Sequence, residues 1–468
     1  MDGGAIYPDD GVGEIKRPFG WSEYVDATTQ DASLIMLTDN LASSPWVAEA
    51  LEHPENASVD CTKQGHVLAV RVRGHKRRVS VLVDRASWDK KLHPMDLLRA
   101  LGELFTYHGS GPQTTPGALG GWGMAYQYGR SGMMPRSRPS LFMRKAMLDH
   151  ATGGLVATPG KGQSFARLWE IDRRSAYPAE ARAGLPVDTP IRLLPSGNCP
   201  ARDYPLWYCR CLVNLKAALP LPLIGAPAGK GLVWRPRVAG HYGDNGQIPL
   251  WLWSVEAAAL EELGYGHVTP LHGWAWDRAE HPLEGWANWI WSLRQQAPSQ
   301  EIASWTKLAA AAGVGRLGMH PVRYRLARAI DQPEGEPVVR NAWPPITDYV
   351  VSRVPDFDSP SPVDWNSLIL ARARVNLWRR ALAEITAGAH VYSLDHDAIV
   401  MDQPSAFPLF PETLGDWKQT ELHHVSIPEA RQLVSDEVTR LPGVPTSQRV
   451  ATAIHKYDDM ELANSIPK

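Results

Sequence analysis

Two aspartates two positions apart, Asp395 and Asp397, stand in an apolar frame, Tyr392-Ser393-Leu394-Asp395-His396-Asp397-Ala398-Ile399-Val400. The flanking residues favour strands, so the stretch predicts a tight strand-turn-strand with both carboxylates on one face. Like charges converging on one spot repel unless a cation lies between them, so the pair invites a hard divalent metal such as Mg²⁺. Taken alone, the same stretch also fits a hairpin turn with two solvated aspartates. The decision rests on partners elsewhere in the chain.

One partner is Asp172, in Trp169-Glu170-Ile171-Asp172-Arg173-Arg174-Ser175-Ala176-Tyr177-Pro178-Ala179. An apolar approach ends at the aspartate, and a turn with Ser175, Tyr177 and Pro178 follows. This predicts a strand running into a helix start, with a carboxylate beside free backbone N–H groups that could hold a phosphate. The other partner is Lys307, heading Lys307-Leu308-Ala309-Ala310-Ala311-Ala312-Gly313-Val314-Gly315-Arg316. The alanines favour a helix, on which Lys307, Ala311, Val314 and Gly315 share one face. A single cation over small residues lets a flat or polyanionic ligand approach closely; tight helix packing is the simpler account of that run alone. Together the three stretches supply what two-metal phosphoryl transfer needs: carboxylates from separate strands around metals roughly 3.5–4 Å apart, and a cation on the triphosphate.

The elements that must position these residues are partly legible. Ser361-Pro362 predicts the start of a helix with Leu368, Ala371, Val375, Trp378, Leu382 and Ile385 on its apolar stripe, leading directly into the aspartate hairpin. Helical spacing is also expected over Asp96–Phe105 after Pro94, and from Ser254 to Leu263 before Gly264. Residues 67–73 and 79–83 read as a hairpin with Lys76, Arg77 and Arg78 at its tip. Gly109–Gly123 is glycine-rich and reads as surface loop, Gly153-Gly154 as a flexible join, and residues 331–362, rich in Pro, Asp and Glu, as an inserted connector. Trp207–Val213 reads as a strand, and the spacing of Cys199, Cys209 and Cys211 lacks the paired pattern of a zinc site.

Composition sets outer bounds. The 468 residues suffice for two or three domains, and a net charge of −2 leaves any polyanion to local patches. The 4 cysteines suit a reducing compartment rather than a disulfide scaffold, and no run of about 18 apolar residues predicts a membrane span. A cytoplasmic protein without a membrane partner is expected.

The order of the three constellations resembles the family B DNA polymerases, and within them the protein-primed phage and plasmid group. The first motif of that family, D-x-x-S-L-Y-P, is similar to Asp172, Ser175, Tyr177 and Pro178, with Ala176 in place of Leu. The third, Y-x-D-T-D-S, is matched by Asp395 and Asp397. The second, K-x-x-x-N-S-x-Y-G, keeps Lys307 and Gly315, while Ala311, Ala312 and Val314 replace Asn, Ser and Tyr. Gly153-Gly154 resembles the Y-x-G-G element before the first motif, an expected DNA contact, and Leu414-Gly415-Asp416-Trp417 resembles a segment after the third.

The resemblance implies an α+β right-hand polymerase with an antiparallel palm sheet, helical fingers and a small thumb. Residues 1–150 would form a degenerate N-terminal domain. Residues 151–402 would form the palm, with an insertion at about 200–290 and fingers at about 291–330, and 403–468 a small thumb or C-terminal region. It further implies Asp172 and Asp397 as ligands of two Mg²⁺ ions, replaceable by Mn²⁺, with Asp395 supporting. Lys307 and Arg294 would hold the incoming dNTP with Ser175 and Gly315, and Tyr177 would lie under the sugar. The implied partners are primer-template DNA, dNTPs and a terminal-protein primer, in a bacterial host cell. No D-x-E stands before residue 172, so no proofreading exonuclease is expected. Two alternatives are a degenerate polymerase fold that holds DNA or a terminal protein without synthesis, and a metal-dependent glycosyltransferase, which leaves Asp172 and Lys307 unexplained.

Overall fold

A computed structural model describes residues 94–110, 116–131, 140–149, 155–195, 199–215, 247–264, 266–318, 362–429 and 432–440, and the course of short strands elsewhere. The chain divides into two compact units, residues 1–134 with 288–362 and residues 135–287 with 363–468. Helices α1 (Pro94–His108) and α2 (Pro116–Ser131) belong to the first unit. In the second, helix α3 (Leu141–Asp149) precedes strands β1 (Val156–Ala157) and β2 (Gln163–Arg173) and helix α4 (Ala176–Ala181). Strands β3 (Ile191–Leu193), β4 (Leu206–Leu215) and β5 (Gln247–Trp253), helix α5 (Ser254–Glu262) and strand β6 (Gly266–Trp276) follow. Helix α6 (Glu284–Gln295) crosses into the first unit, which also holds α7 (Gln300–Leu317). The second unit resumes with α8 (Val363–Thr386), β7 (Val391–Asp395), β8 (Ala398–Met401), β9 (Trp417–Ile427), β10 (Leu433–Val434) and β11 (Thr439–Arg440).

Seven strands form one antiparallel sheet in the order β11-β10-β9-β2-β8-β7-β1. One face of this sheet joins α8 in the main core. Ile171, Leu394, Ile399 and Met401 cluster there with Val375, Trp378, Ala381 and Leu382. Trp378 is fully buried, and truncating it to Ala would cost about 3–5 kcal/mol. The expected α8 stripe is therefore the core face. The helix ends where Gly388 takes φ +102, with Gly388 N bonded to Ile385 O and Ala389 N to Glu384 O. That pattern satisfies the last carbonyls and turns the chain into β7.

A four-stranded antiparallel sheet, β3-β6-β4-β5, packs its Cys209, Cys211, Leu252, Val268 and Ala275 into the same core. Burial pushes the pKa of both thiols up, so they are inert packing groups within the expected strand. Helix α5 is tied to α8 by a buried ion pair, Arg374 Nη2 to Glu256 Oε1 at 2.7 Å, while the other Glu256 oxygen accepts from Trp253 N at 3.0 Å.

In the first unit the helix expected after Pro94 is present as α1. Gly109, at φ +64, closes it, with Ser110 N bonded to Phe105 O. The surface loop expected over Gly109–Gly123 is not what forms, because α2 begins at Pro116. Its glycines serve close approach to α7: a Cβ on Gly120 would lie 2.1 Å from Ala309 O and 2.8 Å from Gly313 Cα. Two other expectations are corrected. Val67–Val72 pairs with Ala57–Cys61, and Val81–Asp84 runs parallel to Ile35–Thr38, so the two runs do not form one hairpin. Residues 73–80 lie outside the described residues. Within the supposed connector, Val338–Asn341 and Tyr349–Pro355 are strands of a five-stranded sheet, since their β-branched Val residues outweigh the neighbouring prolines. Among the described residues no helix is long and apolar enough to cross a membrane.

Candidate functional site

Strand register builds the carboxylate site. Asp172 on β2 pairs with Ala398 on one side and Lys418 on the other, and Ala398 pairs with Asp395. Directly opposed residues share a face, so Lys418, Asp172, Ala398 and Asp395 form one row across four strands. The next row holds Thr420, Glu170, Val400 and Ser393. His396 and Asp397 make the two-residue turn between β7 and β8. Asp397 N donates to Asp395 O at 2.7 Å, and His396 adopts the left-handed φ of 60°. Asp397 O accepts from Arg173 N at 2.8 Å, which draws the turn against the end of β2 and brings Asp397 beside Asp172. All three aspartates are half-buried. The Asp395 carboxylate is engaged by its neighbour, with His396 Nδ1 at 2.5 Å from Oδ1.

The end of β2 is gripped from two directions. Arg173 Nε donates to Gly415 O at 2.8 Å, and the same guanidinium pairs with Glu180 of α4. Asn376 of α8 donates to Glu180 at 2.6 Å. Arg174 N donates to Asp416 O, and Gly415 N to Arg174 O. Gly415 has φ +85, and a Cβ there would meet the Ala179 side chain at 2.6 Å, so only glycine fits. The Leu414–Trp417 stretch thus clamps the strand end that presents Asp172. The N–H groups of Arg173 and Arg174 at the strand end are thus committed to backbone partners. Ser175 sits at the α4 N-cap with φ 49 and makes no side-chain cap; Tyr177, half-buried, follows within that short helix.

Within residues 403–468, expected as a small thumb or C-terminal region, the described strands extend the sheet. Strand β9 pairs along β2, and β10 and β11 extend the edge. Arg440 of β11 grips Glu170, with Nη2–Oε2 at 2.9 Å, across 270 positions of sequence. Burial disfavours the Arg440 charge, yet Glu170, Asp172 and Asp395 outweigh it and hold the pKa above the usual guanidinium value. Asp395, Ser393 and Arg440 line one small pocket with Gln432 and Leu433. Nothing local in the sequence marks Arg440; Glu170 could have been found from its place two residues before Asp172 on the same strand face.

The other expected residues lie in the first unit or outside the description. Lys307 and Gly315 are exposed on α7, Ala311 is half-buried, and Val314, expected beside them, is buried. Arg294 is half-buried near the end of α6, its guanidinium 5.8 Å from the Trp291 ring centre. Gly153 and Gly154 lie outside the described residues.

Among the described residues no three His, Cys, Asp or Glu side chains converge as a ready metal cage. Asp172 and Asp397 nonetheless supply hard oxygen donors at neighbouring backbone positions. That donor set suits Mg²⁺, which is commonly held by one or two carboxylates with water and substrate phosphates completing the shell.

No family model matches the sequence, and no curated protein is similar to it in sequence. Solved structures are similar. Phi29 DNA polymerase complexed with primer-template DNA and incoming nucleotides aligns with a TM-score of 0.66 at 14% identity, over 94% of this chain and 88% of that one. Phi29 DNA polymerase complexed with single-stranded DNA aligns with a TM-score of 0.64 at 15% identity over the same shares, 94% and 88%. The antiparallel sheet that carries Asp172 and the aspartate hairpin therefore belongs to a chain with the right-hand polymerase fold of phi29 DNA polymerase.

Proposed function

We propose that this protein is a template-directed DNA polymerase that extends a primer 3′-hydroxyl with dNTPs and has no proofreading exonuclease. The observation that carries the reading is the placement of Asp172 and the Asp395-His396-Asp397 turn at adjoining strand ends, in a fold shared with a polymerase. Asp172 and Asp397 would hold the divalent ions, Mg²⁺ or Mn²⁺, which when bound would supply Lewis-acid stabilisation of the charge on the transferring phosphoryl group. Asp395, tied to His396, fixes the turn that presents Asp397. Lys307 and Arg294 bind the triphosphate as cations, Ser175 and Gly315 border the nucleotide, and Tyr177 stands under the sugar and excludes a 2′-hydroxyl. Complexes of phi29 DNA polymerase with primer-template DNA and nucleotides support DNA and dNTPs as partners. The primer hydroxyl comes from nucleic acid or from a terminal protein.

Primer extension with Mg²⁺ and dNTPs tests the reading, with nucleic-acid and protein primers in parallel. Asp397→Ala is expected to reduce incorporation by a factor of about 10²–10³ or more, the usual cost of removing a main electrostatic stabiliser. Wild-type protein that incorporates nothing on either primer would sink the proposal, and full incorporation by Asp397→Ala would sink the site. Trimming of a labelled 3′ end by purified protein would contradict the absence of proofreading.

Helix α7 favours a second reading, in which the fold holds DNA without synthesis. Gly313 and the Ala309 backbone are used in packing against α2, and Val314 is buried, so of the run Lys307–Arg316 only Lys307, Leu308, Gly315 and Arg316 are presented outward. Primer-template binding with no incorporation on any primer is the result that selects it.

A further inference from the structure

The four-stranded sheet carries a second chemistry on the face away from its cysteines. Its register sets Trp251, Arg210 and His272 side by side in one row, and Trp253, Tyr208, Trp274 and Arg192 in the next. The sequences of β3, β4, β5 and β6 contain no Asp or Glu. Trp251 stacks on Tyr208, with ring centres 5.2 Å apart and planes at 19°, and on Trp274 at 5.7 Å and 22°. The His272 ring stands edge-on to Trp251 at 5.7 Å. Phe142 of α3 tilts against Trp274 at 5.7 Å, and the Arg192 guanidinium sits 5.5 Å from the Phe142 ring centre.

Exposure separates an inner layer from an outer one. Tyr208, Trp253 and Trp274 are buried and belong to the core. Trp251, Arg210 and His272 are half-buried, Arg192 is exposed, and Phe142 is 62% exposed. The buried rings form a rigid bed that fixes the outer rings at little entropic cost. A core alone does not need an exposed Phe beneath an exposed arginine. Aromatic faces interleaved with cations on strands without carboxylates match one kind of polymer, with flat π-faces and a regular negative backbone.

We propose that this face is a stacking platform for single-stranded nucleic acid, with bases on Trp251 and Phe142 and phosphates at Arg210 and Arg192. A duplex keeps its base faces stacked internally and has none to offer these rings, so the platform selects an unpaired strand. This inference does not depend on Asp172, Asp397 or polymerase activity.

The test is fluorescence anisotropy of a labelled oligothymidylate with the full chain, beside a blunt duplex hairpin of similar length. Phe142→Ala and Arg192→Ala change exposed side chains, and each is expected to weaken single-strand binding about tenfold, the scale of one lost base stack, with duplex affinity unchanged. Trp251→Ala is expected to lose at least as much and to abolish ultraviolet crosslinking of the oligonucleotide to this sheet. Wild-type single-strand affinity in both Phe142→Ala and Arg192→Ala would overturn the proposal, as would equal losses for strand and duplex. A variant that instead converts a dimer to a monomer by light scattering would mark the face as a self-interface and overturn it too.

Discussion

The seven-stranded sheet and the α2/α7 helix pair were both marked by small and charged residues in the sequence, yet they use them in opposite ways. In the sheet, distant partners do the structural work around the chemically distinctive residues. Asp172 stands in its row because Gly415, Asp416 and Glu180 hold the two arginines that follow it. In the helix pair the distinctive residues do the structural work themselves. Gly120 and Gly313 let two backbones touch, and only Lys307, Leu308, Gly315 and Arg316 of the run remain exposed. A residue type therefore signals chemistry only where something else carries the packing.

Substitutions can separate the two regimes. Asp172→Asn should cost the most in function, lowering incorporation by about 10²–10³ or more while thermal stability stays near that of the wild type. A large fall in stability would mean that Asp172 is a packing residue after all. Gly120→Ala should do the reverse. Its methyl has no room against the α7 backbone, so urea unfolding should show a loss of about 3 kcal/mol or more. A neutral result would mean that the helices can separate freely.

Titration distinguishes the two units without touching either motif. Burial holds His108, in the first unit, at a pKa pushed down to about 4 from 6.5. Its contribution is whole above 6.5 and is lost as pH falls toward 4, because the unfolded chain then binds the proton more readily. Burial pushes Asp364, in the second unit, up to about 7 from 3.8, against backbone hydrogen bonds and Arg144. Its contribution is whole below 3.8 and is lost as pH rises through 7. Each full effect is on the order of 3–4 kcal/mol. Urea titrations at pH 4.5 and 7 should show that His108→Phe flattens the acid-side loss and Asp364→Asn the neutral-side loss.

Arg440→Gln should have the smallest effect, about 1–2 kcal/mol, since Glu170 stays buried without its partner while Arg440 itself is partly solvated. An unchanged midpoint would mean that β10 and β11 add nothing to the sheet.

The legible parts of the molecule were those whose periodicity has one structural solution. The α8 stripe from Leu368 to Leu382, the β7–β8 hairpin and β4 all follow from spacing. Gly109–Gly123 misled because glycine marks both loops and helices that must touch, and the two differ only in what lies opposite. The strands at 338–341 and 349–355 were hidden by the Pro, Asp and Glu that surround them in sequence. Residues 67–83 had the right strands and the wrong partner, because the charged residues between the two strands do not specify which strand each pairs with. Arg440 was invisible for a plainer reason, that its partner stands 270 positions earlier.

Strand β2 is flanked on both sides by strands that come far later in the chain. A ribosome adding about 5–20 residues per second leaves both of its edges unpaired for on the order of ten seconds or more. Over that interval Phe165, Leu168 and Ile171 are exposed on a strand with no neighbour, which is a template for misassociation between nascent chains. Arg167, Glu170, Asp172 and Arg173 are interspersed with those apolar residues, so the charges that later build and clamp the carboxylate row also act, before the fold exists, as gatekeepers against aggregation.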